Sequence, residues 1–404
     1  MPSPGLPRGP TGSIPVRCRA SQRRSRTPVR ELFREGRAPL PGHSGIGVRG
    51  PRFFLTQPLS PLLGRLVLVL LAASVALGEG ARAGNRGRER YEFSEPHMGT
   101  VWSITCWSAD REVAKAAAAD AFRRVDQLER IFTDYDPESE ILRLCRAEAG
   151  VPHRVSADLF DMLQLSLDAA RRTHGAFDIT VGPLVQVWRR ARRQREYPEA
   201  SRIEEARAVV GWTNIVLDAR HRTALLRRPG MRLDVGGIAK GYAADAALRC
   251  LAAHGLRRAL VAASGDLAIG DPPPGERGWR IRVGDPGGRT NVLGQVLLLR
   301  NAGVSTAGDT EQFVELGGRR YSHVVDPATG VGLTNRLQVT VVARNATLSD
   351  GTDTALCVLG VEEGMRVIEQ DRRMAALMVI PEGDGYTVRR SRRWPAPAPE
   401  PLRR

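Results

Sequence analysis

The 404-residue sequence contains no CxxC pair, and its five cysteines (Cys18, Cys106, Cys145, Cys250 and Cys357) stand far apart. That spacing excludes a structural zinc site built on paired cysteines and gives no dense disulfide framework. In a chain of this length the four cysteines from Cys106 on read as buried thiols. No internal repeat is evident. No apolar run reaches the length of a membrane span: Leu66–Leu77 comes nearest and is too short. Aromatic residues make up only 5% and do not interleave with basic ones.

The net charge of +16 suggests nucleic acid until it is mapped. Residues 1–90 carry 16 Arg against 4 Glu, and residues 388–404 carry 6 Arg against 1 Glu. The stretch between them holds 38 basic and 39 acidic residues. The basic charge sits at the two ends, and the neutral body has no nucleic-acid footprint.

Residues 1–53 are rich in Arg, Pro and Gly and read as a disordered extension. Arg65, the short run Leu66–Leu77 and Ala81-Arg82-Ala83 then form a secretory-signal pattern, or an uncleaved anchor. No cysteine directly follows the run, so lipid attachment is not supported. The expected organisation is an extension with a signal or anchor over 1–83, one domain over 91–387, and a disordered basic Pro/Ala tail over 388–404. Such a chain is exported, either periplasmic or anchored at the outer face of the inner membrane.

The body alternates helical and strand patterns. Arg111–Phe132 is an amphipathic helix, and a second runs from Ser156, an N-cap, to Thr173. Arg189–Arg207 is charged, lacks a clean stripe and reads as exposed. Strand patterns fall at Val101–Trp107, Asn214–Leu217, Thr223–Leu226, Met231–Asp234, Ala259–Ala262, Trp279–Val283, Gly294–Leu299, Val304–Thr306, Leu337–Val342 and Met374–Ile380. A helix follows Gly237, and another begins at about Thr352. The mixture predicts a single α+β domain.

The stretch Leu233-Asp234-Val235-Gly236-Gly237-Ile238-Ala239-Lys240-Gly241-Tyr242-Ala243 is the most informative. Glycines at a helix start let the backbone approach a ligand, and the free N–H groups and Lys240 favour an anion such as phosphate. A P-loop is excluded, because Gly241 stands where Ser or Thr would hold magnesium. The other reading is a tight turn with a solvated lysine. Asp350, Asp353 and Thr354 put three oxygens on one side of a helix start. They fit magnesium, or simply cap the helix. His323 lies between a serine and a DPxTG turn and, taken alone, reads as a hydrogen-bonded strut. Tyr135 and Phe177 are loop aromatics that either stack on a flat ring or plug a core edge.

In this order the clusters resemble the ApbE-type flavin transferase family (FAD:protein FMN transferase) from Met98-Gly99-Thr100 to about Gly360. LDxGGIAKGYA, YSHxxDPxTG and DxxDT are the specific motifs. The resemblance implies a large mixed sheet flanked by helices. It also implies export, magnesium, FAD as substrate, and transfer of FMN to a threonine hydroxyl of a partner protein with loss of AMP. The implied acceptor is an exported or membrane redox protein. By the same resemblance Met98 and Tyr135 contact the flavin, and Ala176, Phe177 and Asp178 form an FAD-binding segment. Asp234 and Lys240 fall at adenine and phosphate contacts, and Val325 at the flavin edge. The Gly237 carbonyl, Asp350, Asp353 and Thr354 ligate magnesium, and His323 is the general base or acid. Two segments depart from the family pattern: Ser264-Gly265-Asp266 replaces GGD, and Thr306-Ala307-Gly308 replaces a TSG-type run, with Thr310 where tyrosine is frequent. Both read as pocket wall. Two rival readings are an FAD pyrophosphatase yielding FMN and AMP, and an exported flavin-binding protein without catalysis.

Overall fold

The computed structural model describes residues 87–283, 295–308, 313–383 and 385–398. The expected leader and Thr310 lie outside the described residues. The described residues from Arg88 on form one compact unit.

The chain enters as the hairpin β1 (Glu89–His97) and β2 (Thr100–Ser108). Met98 (φ 47°) and Gly99 (φ 72°) form its two-residue turn. Two left-handed residues in succession match the right-handed twist of the strands. Helix α1 (Arg111–Phe132) follows, its first turn capped by Asp110, whose side chain accepts from the Glu112 and Val113 N–H groups. Then come α2 (Glu140–Arg146), β3 (His153–Arg154) and α3 (Ala157–Arg172), the last capped by Ser156 as expected. Helices α4 (Gly182–Gln194) and α5 (Ala200–Ala208) precede β4 (Ile215–Asp218) and β5 (Thr223–Leu226). Helix α6 (Ala239–Ala253) leads to β6 (Ala259–Ala263), β7 (Asp266–Ile269), β8 (Trp279–Val283), β9 (Gln295–Leu299) and β10 (Ala302–Ala307). The remainder is β11 (Phe313–Leu316), β12 (Arg319–Ser322), β13 (Gln338–Ala343), α7 (Ala346–Gln370), β14 (Met374–Glu382) and β15 (Gly385–Arg390).

Eight strands form the central sheet in the order β1-β2-β6-β7-β10-β13-β14-β15. The α+β class holds. Every pairing in this sheet is antiparallel, however, where the resemblance implies a mixed sheet. The connection from β13 to β14 explains one such pair. Ala343 pairs with Met374, so both ends of the intervening α7 lie side by side. A straight helix of that length would separate them by over ~30 Å. Instead α7 is interrupted at Gly360 (φ 74°, ψ −171°) and returns.

Side chains alternate across the sheet. Trp102, Ile104, Val261 and Ala263 face the helical layer, with Leu128, Ala243 and Ala247 of α1 and α6 in the same core. Val339 and Val341 pack beneath α7, while Val342 turns to the other face, against Ile281 and Leu297 of β8–β9.

Four local expectations change. Most of Arg189–Arg207 is exposed as expected, but Ala191 on α4 and Ile203 and Ala206 on α5 are buried, so the stretch does carry inward-facing positions. Met231–Asp234 is not a strand; only Arg232 bridges Val181 there. Helix α7 begins at Ala346 under an Asn345 cap, so Asp350 and Asp353 lie beyond its first turn and do not cap it. The tail boundary at 388 is also too early. Val388–Arg390 belong to β15, Ser391 Oγ accepts from the Ala376 N–H, and the Trp394 indole donates to Gln295 Oε1. Ala398 N–H donates to the Val296 carbonyl.

Candidate active site

The site is built where α6 crosses α7. A Cβ on Gly241 would lie 2.3 Å from the Ala346 carbonyl oxygen, so only glycine allows this approach. Each helix then satisfies the other's free N–H groups. Gly241 N–H donates to Asp350 Oδ2 (2.7 Å). In return Asp245 accepts from the Ala346 and Thr347 N–H groups (2.9 and 2.8 Å) and from the Thr347 hydroxyl (2.6 Å). The crossing fixes Asp350 at the positive end of α6.

Asp266, Asp350 and Asp353 are all buried, and one carboxylate oxygen from each lies within 4.8 Å of the others. Lys240 on α6 pairs with Asp266. Three carboxylates against one ammonium leave two negative charges out of water, which is costly without a counter-ion. Burial, helped by the Asp266 charge and opposed by Lys240 and the Gly241 N–H, pushes Asp350 up to about 7. Burial, with Asp350 and Asp266, also raises Asp353 well above the usual carboxylate range. Burial works against the Lys240 charge, but Asp350, Asp266 and Asp353 outweigh it and raise its pKa.

The donor set fits magnesium. The cluster that the fold brings together is Asp266, Asp350 and Asp353, hard carboxylate oxygens, with Thr354 next in sequence to Asp353. Its negative excess of two matches a divalent cation. Thr354 is oriented by its neighbour, since its N–H and hydroxyl reach Asp353 Oδ1 at 2.5 and 3.3 Å. Asp266 is the residue that sequence reasoning undervalues. Its segment reads as pocket wall, yet it belongs with the two carboxylates of α7. Its position after the Ser264-Gly265 turn is visible in the sequence; its pairing with Lys240 is not.

All thirteen residues singled out from the sequence line one cleft of about 1320 Å³. Met98 is presented by the β1–β2 turn, and its N–H donates to Glu129 Oε2 (2.9 Å). Tyr135 is 78% exposed on the rim. Phe177 is buried against the Gly237 turn. Asp178 also lines the cleft, but its carboxylate is turned to the protein. It accepts from the Thr180 N–H (2.8 Å), the Thr180 hydroxyl (2.6 Å) and the Trp212 N–H (2.9 Å). Asp178 therefore shapes the segment carrying Ala176 and Phe177. Asp234 Oδ1 accepts from the Gly236 N–H (2.9 Å), and Oδ2 faces Arg189 at 3.3 Å. Burial and the nearby Asp134 raise the Asp234 pKa, against Gly236 and Arg189.

His323 is exposed to the cleft, between buried Ser322 and Val324. The loop that follows is tied together by its own hydrogen bonds. Asp326 accepts from the Ala328 N–H and the Thr329 hydroxyl, both at 2.9 Å, and Gly330 N–H closes onto the Asp326 carbonyl (2.8 Å). Val325 is buried beside it. One cleft thus joins a buried carboxylate cluster, a lysine, an imidazole and aromatic rings.

The ApbE family profile matches residues 98–378, most of the chain. The chain belongs to the ApbE family. It is 33% identical over 294 residues to a FAD:protein FMN transferase of Klebsiella pneumoniae (strain 342), covering 72% of this chain and 84% of that protein. A FAD:protein FMN transferase of Salmonella typhimurium is 31% identical over the same shares. Among solved structures, the flavinyl transferase ApbE of Pseudomonas stutzeri in its apo form superposes with a TM-score of 0.68 at 29% identity. It covers 76% of this chain and 96% of that one. The flavin transferase ApbE of Vibrio cholerae gives 0.67 at 27% identity, covering 76% and 98%. Members so similar along most of their length are transferases, and this chain is an enzyme of that kind.

Proposed function

We propose that this enzyme transfers FMN from FAD to a threonine hydroxyl of a partner protein, requires magnesium and releases AMP. The observation that carries the reading is the buried trio Asp266, Asp350 and Asp353 beside Lys240, in a cleft large enough for a dinucleotide. The family's FAD:protein FMN transferases support the coarser assignment. The threonine target, the metal and AMP are the finer part.

Asp350, Asp353, Thr354 and the Gly237 carbonyl would hold magnesium, with Asp266 alongside. Bound there, the ion would polarise the phosphorus and neutralise charge on the leaving phosphate. Lys240 parts from Asp266 to meet the pyrophosphate. The N-terminal end of α6 adds its positive dipole to the same anion. Tyr135, Met98, Phe177 and Val325 receive the flavin, and Asp234 the adenine end. The threonine oxygen attacks the FMN phosphorus and its proton passes to His323. A new phosphoester P–O bond forms, the pyrophosphate P–O bond to AMP breaks, and AMP leaves. The protein mainly positions groups and stabilises charge, as phosphoryl transfer requires.

Export, to the periplasm or to the outer face of the inner membrane, is part of the same proposal. It rests on Leu66–Leu77 and Ala81-Arg82-Ala83. An exported or membrane redox protein would then be the acceptor. Purified enzyme with FAD, magnesium and a threonine-bearing acceptor tests the reaction. Protein-bound FMN in step with AMP is the expected result. Free FMN in step with AMP, with or without acceptor, would make the enzyme a pyrophosphatase.

A further inference from the structure

Arg189, on α4, touches three residues of the cleft at once. Its guanidinium lies over the Tyr135 ring, 4.7 Å from the centroid. One of its amino groups pairs with Asp134, and the other reaches Asp234 Oδ2 at 3.3 Å. Asp134 and Tyr135 lie in the loop after α1, and Asp234 lies about a hundred residues later, just before the glycine-rich turn. A single planar fork ties these two distant segments together. Arg189 is well covered, its side chain 18% exposed. It also offsets two carboxylates that would otherwise repel an incoming pyrophosphate.

We propose that Arg189 is a positioning residue that sets recognition of FAD as a whole dinucleotide, by holding Tyr135 and Asp234 as one unit. The inference rests on the FAD reading above. Tyr135 serves the flavin end and Asp234 the adenine end. Tyr135 is largely exposed, so a flavin ring can still stack on it while Arg189 supports it. FMN engages one end only and gains little from the coupling. Lysine cannot replace the fork, because a point charge does not bridge two carboxylates and lie flat on a ring.

The test uses the full chain and titrates FAD and FMN, read by flavin fluorescence, with transfer kinetics in parallel. R189A should raise the Kd and KM for FAD at least tenfold. It should leave kcat at saturating FAD within about threefold and shift FMN affinity far less. R189K should behave like R189A and keeps the decision open to measurement if R189A folds poorly. Y135A and D234A should be non-additive with Arg189 present and additive in R189A. An unchanged FAD Kd in both Arg189 variants, an equal loss for FAD and FMN, or a fall in kcat alone would overturn the proposal. Wild-type protein that binds no FAD would overturn the FAD reading itself, and this inference with it.

Discussion

Gly237 faces Thr354 so closely that a Cβ on Gly237 would lie 3.1 Å from the Thr354 Oγ1. This contact joins the glycine-rich turn to the far end of the carboxylate cluster. Gly237→Ala should push Thr354 aside without unfolding the chain. Magnesium affinity should fall about tenfold or more, the range found when a metal site's supporting contacts are disturbed. Isothermal titration of metal-free protein with magnesium measures it.

Asp350→Asn and Asp353→Asn should each abolish transfer while the fold survives. Each replaces a carboxylate whose ionised form burial disfavours. The metal-free variants should therefore melt at the same temperature as wild type or higher. Magnesium should no longer raise that temperature. Full activity in the double variant would exclude the metal role.

The pH dependence has a definite sign. Asp350 and Asp353 titrate higher in the folded chain than in the unfolded one, where the ordinary value is 3.8. Between that value and about 7, the folded state binds more protons than the unfolded state. Stability from these groups is complete below the window and is lost as pH rises through it. Metal-free protein should melt progressively lower from pH 5 to 8. Magnesium needs the ionised carboxylates, so the stabilisation it confers should grow over the same range. Thermal melts in EDTA and in magnesium read both trends, and Asp350→Asn should flatten them.

His323 and Lys240 separate chemistry from binding. His323→Ala should bind FAD normally and transfer FMN roughly 100-fold or more slowly. Lys240→Ala should chiefly weaken FAD binding. A His323→Ala variant with a wild-type single-turnover rate would leave metal and positioning alone to carry the reaction.

Ser264 occupies a left-handed conformation (φ 57°) in the β6–β7 turn, next to Asp266. A side chain there costs on the order of 1 kcal/mol relative to glycine. Ser264→Gly should raise stability by up to about that amount with transfer unchanged, as measured by urea unfolding.

Much of this site is legible in the sequence because its residues come in short polar clusters at the ends of apolar elements. Asp350 and Asp353 stand out by helical spacing, and Gly237 and Lys240 by glycine density. Ser156 and Arg111–Phe132 are set by local capping and periodicity. What stays hidden depends on contacts between distant segments. Asp266 becomes a site residue only when α6 lays Lys240 against β7. Arg189 looks like one more arginine in a basic run, because the buried face of α4 is carried by Gly182, Leu184, Trp188 and Ala191 alone. The start of α7 is hard to place since Asn345 caps it with no preceding break in the pattern. Asp178 shows the converse. Its motif marks it as a ligand contact, and the fold commits both its oxygens to Thr180 and Trp212.

Mass spectrometry of exported proteins co-expressed with and without this chain tests the central claim most directly. A threonine carrying FMN through a phosphoester should appear with the wild-type chain and be absent both without it and with Asp350→Asn. The same adduct at the same level in all three cultures, or none in any with AMP still released from FAD, would contradict transfer by this enzyme.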